Sequence, residues 1–193
     1  MKNKVLTAYK KMANKGVFPH LFASTLLIPL RNVFLSPEKL IKRLNLEDGM
    51  RVLEVGAGPG YFSRKVAQAI PEGRLVISDI QAEMLAIAQK RLAKKHIENV
   101  SFHHCNGTDF PFEDETFDRI YMVTVLGEVE NKAAYIKEFW RLLVPGGLVS
   151  VSEQPGDPDR LTIEEIKALF NEEGFGFDQL FGGKSNFTVN FRK

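Results

Sequence analysis

Val52-Leu53-Glu54-Val55-Gly56-Ala57-Gly58-Pro59-Gly60 is an apolar strand with one carboxylate that runs straight into a glycine-rich bend, and a helical pattern from Tyr61 to Ile70 follows it. Glycines at 56, 58 and 60 let the chain turn through φ values closed to other residues and let a ligand approach the backbone. A carboxylate in a buried parallel strand is costly unless it meets a partner at the sheet edge. Glu54 therefore predicts a ligand hydroxyl or amine close to the bend.

The elements on either side predict an open sheet. Ser36-Pro37-Glu38 is a helix start, with Ser as N-cap, Pro at the first position and an acid in the positive first turn. That helix runs to about Leu44, and Asp48-Gly49 turns the chain into a strand at 51–55. Helix 60–70, a strand at Leu75-Val76-Ile77 ending at Ser78-Asp79, a helix over 81–95 and a strand near 100–104 come next. A loop over 106–116, a strand at 117–123, a helix over 132–143 and a strand at 148–152 continue the alternation. Near-continuous apolar strands alternating with helices predict a parallel sheet covered on both faces. Thr162-Ile-Glu-Glu165 opens a last helix with a capping box. Phe175, Phe177, Phe187, Val189 and Phe191 then alternate with period two around Gly182-Gly183-Lys184-Ser185, the pattern of a hairpin closing the sheet edge.

Composition sets bounds on function. A hydrophobic fraction of 44% with 26% charged residues is that of an ordinary globular chain. The single cysteine, Cys105, excludes an internal disulfide and a multi-thiolate zinc site. Six of the 26 basic residues and none of the 24 acids stand before Glu38, so a basic, partly amphipathic arm over 1–35 precedes an acidic body over 36–193. Such an arm suits phosphate, an anionic membrane surface reached peripherally or an acidic substrate; its commoner meaning is a solvated leader. Pro29 and Arg31 interrupt the apolar stretch 21–35, which is too short to span a bilayer of ~30 Å. With no signal-peptide pattern, the expected location is the cytoplasm.

In an open α/β sheet the ligand crevice lies at the carboxyl ends of the strands. Asp79 stands at the spacing from the glycine bend at which an acid accepts hydrogen bonds from a ribose diol, although Asp is equally a helix cap before Gln81. The dinucleotide fingerprint needs Gly-x-Gly-x-x-Gly, whereas here the third glycine comes one residue early and Pro59 removes an N–H. With Glu54 two residues upstream, a bound amino-acid moiety is more natural than a pyrophosphate. This favours S-adenosylmethionine over a nicotinamide dinucleotide.

From about 36 to 153 the chain resembles the class I S-adenosylmethionine-dependent methyltransferases, particularly small bacterial and archaeal ones similar to quinone-biosynthesis methyltransferases. The resemblance is carried by 52–63, by Ser78-Asp-Ile-Gln-Ala-Glu-Met-Leu85, by Asn106-Gly-Thr-Asp-Phe-Pro-Phe112, by 117–121 and by Arg141-Leu-Leu-Val-Pro-Gly-Gly147. It implies a single Rossmann-like doubly wound sheet of seven strands, mostly parallel with an antiparallel C-terminal strand, plus an N-terminal helical arm. It also implies that Glu54, Gly56, Ala57, Gly58 and Gly60 hold the methionine part of S-adenosylmethionine and Asp79 the ribose. Thr108 and Asp109 fall to the adenine loop, and Ile80 and Met84 to the adenine pocket.

The implied activity is methyl transfer to a small, apolar or aromatic metabolite, a reaction in which positioning can supply roughly 7–11 kcal/mol. A general base is needed only if the acceptor must lose a proton. Where relatives often carry His before an acid beyond the fourth strand, this chain has Leu126-Gly127-Glu128-Val129, leaving Glu128 as the catalytic candidate or as a surface carboxylate opening the next helix. His103, His104 and Cys105 read as structural. An RNA or protein substrate held by the basic arm is a weaker expectation, since Tyr121-Met-Val-Thr124 stands where an Asn-Pro-Pro-Tyr segment would be. A catalytically silent cofactor-binding subunit is the third.

Overall fold

The computed structural model describes residues 34–108 and 110–193. The arm up to residue 33 and Asp109 lie outside the described residues. Along the chain come α1 (Pro37–Leu44), β1 (Arg51–Val55), α2 (Ser63–Ala69), β2 (Arg74–Asp79), α3 (Ala82–Ala93) and β3 (Val100–His104). Then follow β4 (Phe117–Val123), a 3-10 turn (Leu126–Glu128), α4 (Lys132–Leu142), β5 (Leu143–Glu153), α5 (Ile163–Glu172), β6 (Gly176–Gly183) and β7 (Asn186–Arg192).

One seven-stranded sheet runs in the order β3-β2-β1-β4-β5-β7-β6. The pairs among β1 to β5 are parallel, and β7 is antiparallel to both neighbours, as expected for the C-terminal strand. Strand order reverses between β1 and β4, so the exits of those strands form the natural ligand crevice. Period-two alternation sorts the core: Val52, Leu75, Ile77 and Tyr121 pack with α1, α2 and α3, whereas Leu53, Ile120, Met122 and Val151 pack with α4 and α5. On the latter face Phe170 stacks on Phe191 with centroids 4.3 Å apart.

The predicted caps form. Ser36 Oγ accepts from the Lys39 N–H at 3.2 Å, and Thr162 with Glu165 makes a reciprocal capping box. At the other end of α1 the buried Arg119 of β4 donates to the Leu44 and Asn45 carbonyls at 2.8 and 3.1 Å, which anchors the helix to the sheet. Leu35, assigned by sequence to the arm, is buried in the core with α1, so the packed body begins before residue 36.

Two expectations need correction. The helix after the glycine bend starts at Ser63 rather than 60, because the left-handed Gly60 and a turn through Phe62 intervene. The fifth strand begins at Leu143, not 148: Leu143 pairs with Phe117, Pro145-Gly146-Gly147 bulges out, and pairing resumes at Arg119 with Leu148. Phe177 lies on the inward face as expected, paired with the buried Phe191, yet it is 47% exposed because β6 is the edge strand; the Lys167 ammonium covers its ring at 3.9 Å.

Candidate active site

The bend after β1 is fixed from several sides. Gly56 has φ +67°, and a Cβ there would strike the Val125 side chain beyond β4, so no other residue fits. Asp79, at the end of β2, accepts from the Gly58 N–H through one carboxylate oxygen at 2.7 Å and from the Gln81 N–H through the other at 2.9 Å. It pins the bend to the chain just before α3, whose N-cap residue Gln81 has no side-chain cap bond of its own, so Asp79 is not the helix cap. Arg91, in the last turn of α3, donates to the Pro59 and Gly60 carbonyls, the latter at 3.1 Å. The Ala57 N–H donates to Ser78 O at 3.1 Å, completing the frame.

Beneath the bend Glu54 is 3% exposed and accepts from Ser63 Oγ at 2.5 Å. Burial pushes its carboxyl up to about 7, the Ser63 bond opposes that, and the nearby Asp79 charge adds to it. Burial also raises Asp79, against its backbone N–H bonds. The buried Tyr121 hydroxyl lies beside Glu54, and burial first, then the charge and hydrogen bonding of that carboxylate, push it up. A cationic ligand at this place would restore the ionised form of Glu54. A side-chain-free cradle over a buried carboxylate suits the ammonium and sulfonium charges of S-adenosylmethionine.

The other predicted residues separate into two groups. Ile80, directly after Asp79, is 45% exposed, an apolar surface beside the crevice. Met84 is buried in α3, and Thr108 is exposed on the loop after β3. That loop is anchored by Arg141, which donates to Phe110 O at 3.0 Å, Phe112 O at 2.8 Å and Asp114 Oδ1 at 2.7 Å. His104 Nε2 lies 3.0 Å from Ile80 O, the His103 ring packs on Phe110 and Phe112, and Cys105 Sγ donates to Gly107 O at 2.8 Å; all three are structural.

Glu128 stands apart from the cofactor loop, half-buried on the 3-10 turn after β4. It does not open the next helix, because Asn131 caps α4 through an Ala134 N–H bond of 3.1 Å. The sequence reading missed four residues: Arg91, Arg141, Thr124 and Glu153. Thr124 has φ +55°, a strained conformation for a β-branched residue, held by its N–H bond to Ser152 O at 2.8 Å. Gly127 abuts the backbone of Asp159, so the β4 and β5 exits touch. Glu153 ends β5 as Asp79 ends β2, and an acid closing a strand was the available signal. Among the described residues no His, Cys, Asp and Glu group could hold a metal, and no helix is long and apolar enough to cross a membrane.

A family model described as a methyltransferase domain matches residues 52–147, the segment that contains the bend, both strand-end acids of the cofactor half and the Arg141 anchor. The chain belongs to the class I S-adenosylmethionine-dependent methyltransferases. The family is one of enzymes, and S-adenosylmethionine is its cofactor. A ubiquinone/menaquinone biosynthesis C-methyltransferase of Coxiella burnetii is 30% identical over 70% of this chain and 53% of its own length. A demethylmenaquinone methyltransferase of a Geobacillus species is 28% identical over 69% of this chain and 57% of its own. The chain thus spans about half the length of the curated relatives it matches. In fold it is similar to a SAM dependent methyltransferase from Aquifex aeolicus, with a TM-score of 0.85 over 91% of this chain and 99% of that one at 23% identity.

Proposed function

We propose that this methyltransferase transfers the methyl group of S-adenosylmethionine to a ring carbon of a small hydroxylated aromatic acceptor, of the kind found in quinone precursors. One observation carries the cofactor half: the bend at Gly56–Gly60, held by Asp79 and Arg91, lies directly over the buried Glu54. In this assignment Glu54, Gly56, Ala57, Gly58 and Gly60 receive the amino-acid end. Asp79 keeps its backbone bonds and offers its remaining lone pairs to the ribose, while Ile80, Met84, Thr108 and Asp109 are assigned to the adenine. The bound cofactor supplies an electrophilic methyl group on a cationic sulfur; the protein orients it and excludes water. The acceptor class is supported by the printed activities of the curated relatives at about 30% identity.

Calorimetric titration with S-adenosylmethionine tests the first half, with micromolar binding expected. Incubation with a reduced naphthoquinol and mass spectrometry tests the second, with a gain of one methyl group on carbon expected. Absence of cofactor binding refutes the assignment; methylation of RNA or protein in place of the quinol refutes the acceptor class.

A further inference from the structure

At the end of β5 the chain buries an acid that is poorly held. Glu153 is 1% exposed, and neither carboxylate oxygen has a full hydrogen bond; the Leu161 N–H is the one backbone donor that acts on it. Native structures leave few such atoms, since a carboxylate taken out of water unpaired is costly. Glu153 lies at the carboxyl end of the sheet, where crevices of this architecture open. The register sets Ser152 beside Val123, and Val125 just beyond packs over Gly56. Two strand spacings put β5 roughly 10 Å from β1, on the far side of the cofactor bend.

The charged groups facing Glu153 come from two elements. Asp157 and Arg160 stand on the segment between β5 and α5, and Glu128 stands on the 3-10 turn after β4. Burial is the chief cause that pushes the Glu153 carboxyl up to about 8; Asp157 and Glu128 raise it further, and Arg160 and the Leu161 N–H oppose them. A base of that strength is matched to a proton released near neutral pH.

We propose that Glu153 is the catalytic base of this methyltransferase, its carboxylate accepting the proton of a ring hydroxyl on the methyl acceptor. The proposal rests on the hydroxylated aromatic acceptor proposed above. Glu153 takes the hydroxyl proton. The neighbouring ring carbon then forms its new bond to the methyl carbon while the methyl–sulfur bond breaks and leaves its electron pair on sulfur. The hydrogen of that ring carbon departs as a proton, the oxygen regains one from Glu153, and one proton in total passes to solvent. Glu153 rather than Glu128 fills the role, because Glu128 is half-buried while Glu153 is closed off from solvent and has two oxygens to satisfy.

Glu153→Gln keeps the shape and removes the proton-accepting oxygen. In the full chain with S-adenosylhomocysteine bound, anaerobic calorimetry with 1,4-dihydroxynaphthalene is expected to show affinity at least about tenfold lower in the variant. Affinity for 1,4-dimethoxynaphthalene, which has no proton to give, stays the same. The kcat for methylation of the diol falls roughly 10²–10⁴-fold. The rise of the wild-type rate between pH 7 and 9, as Glu153 ionises, vanishes in the variant. S-adenosylmethionine affinity and Tm are not lowered, which separates a base from a structural residue. Equal diol affinity in both proteins, or a pH rise retained by the variant, overturns the proposal while cofactor binding keeps the methyltransferase assignment standing. A wild-type chain that binds no S-adenosylmethionine overturns both.

Discussion

The two halves of the crevice are built on opposite terms. In the cofactor half, at the exits of β1 and β2, the strand-end acids are satisfied: Asp79 by two backbone N–H groups and Glu54 by the Ser63 hydroxyl. In the acceptor half, at the exits of β4 and β5, Glu153 has no full hydrogen bond, with only the Leu161 N–H acting on it, and Thr124 sits in the left-handed region. A loop whose hydrogen bonds are complete before the ligand arrives is preorganised, and its ligand contributes contacts without having to order the chain. Buried polar atoms without partners and backbone strain are tolerated where a bound molecule answers them. The common cofactor is thus met by finished structure, and the particular acceptor by structure that it completes.

The largest effect that would break this comparison is at Gly56. Gly56→Ala adds a Cβ at φ +67° against Val125, so the bend must move. A cost of about 1–3 kcal/mol is typical of such overpacking, and cofactor affinity measured by calorimetry should fall roughly a hundredfold. A variant that binds normally would mean that the bend is not preformed. Next comes Asp79→Ala, which frees the Gly58 and Gln81 N–H groups together. Removing hydrogen bonds to a charged group costs about 1.5–3 kcal/mol, read as a lower denaturation midpoint with weaker cofactor binding.

Stability against pH sharpens the contrast. Glu54 and Glu153 have folded pKa values of about 7 and about 8, both raised above the ordinary 4.5 of a free carboxyl. Folded protein therefore holds protons that unfolded chain has lost. Their stabilising contribution is complete below pH 4.5 and disappears as pH rises through 7 and 8. Within that window each group tilts stability by roughly 1.4 kcal/mol per pH unit. Urea midpoints of ligand-free protein should fall from pH 5 to 8, and Glu153→Gln should flatten the last part of the fall, between 7 and 8, where Glu54 has already ionised.

The smallest effect is expected at Thr124. Replacement by Gly relieves a left-handed β-branched residue and should raise stability by about 1 kcal/mol or less, because the freed unfolded chain offsets part of the gain. A lower turnover with unchanged cofactor affinity would assign the strain to the acceptor half.

What could be read in the sequence follows the range of the interactions. The bend, the strand-end acid at 79, the Ser36 cap and the Thr162 capping box are local patterns, and each appears in its expected place. The hairpin was legible from the phenylalanines, but the slip between Phe177 and Gln179 was not, because a bulge leaves no period of its own. Likewise Pro145-Gly146-Gly147 looks like a terminator, and only pairing of Leu143 with Phe117 makes it a bulge within β5. Arg91 and Arg141 reach carbonyls about thirty residues away in the chain. Nothing adjacent to either arginine announces those partners.

The placement of β7 between β5 and β6 has a consequence during biosynthesis. β6 emerges from the ribosome before the strand that joins it to the sheet, and β5 waits with an unpaired edge until Asn186–Arg192 has followed. For that interval the nascent chain displays an open β-edge beside half-finished apolar faces, the kind of surface that invites pairing between neighbouring chains. Slow translation of the codons for Asn186–Arg192 would lengthen the exposure, and the yield of soluble protein would register it.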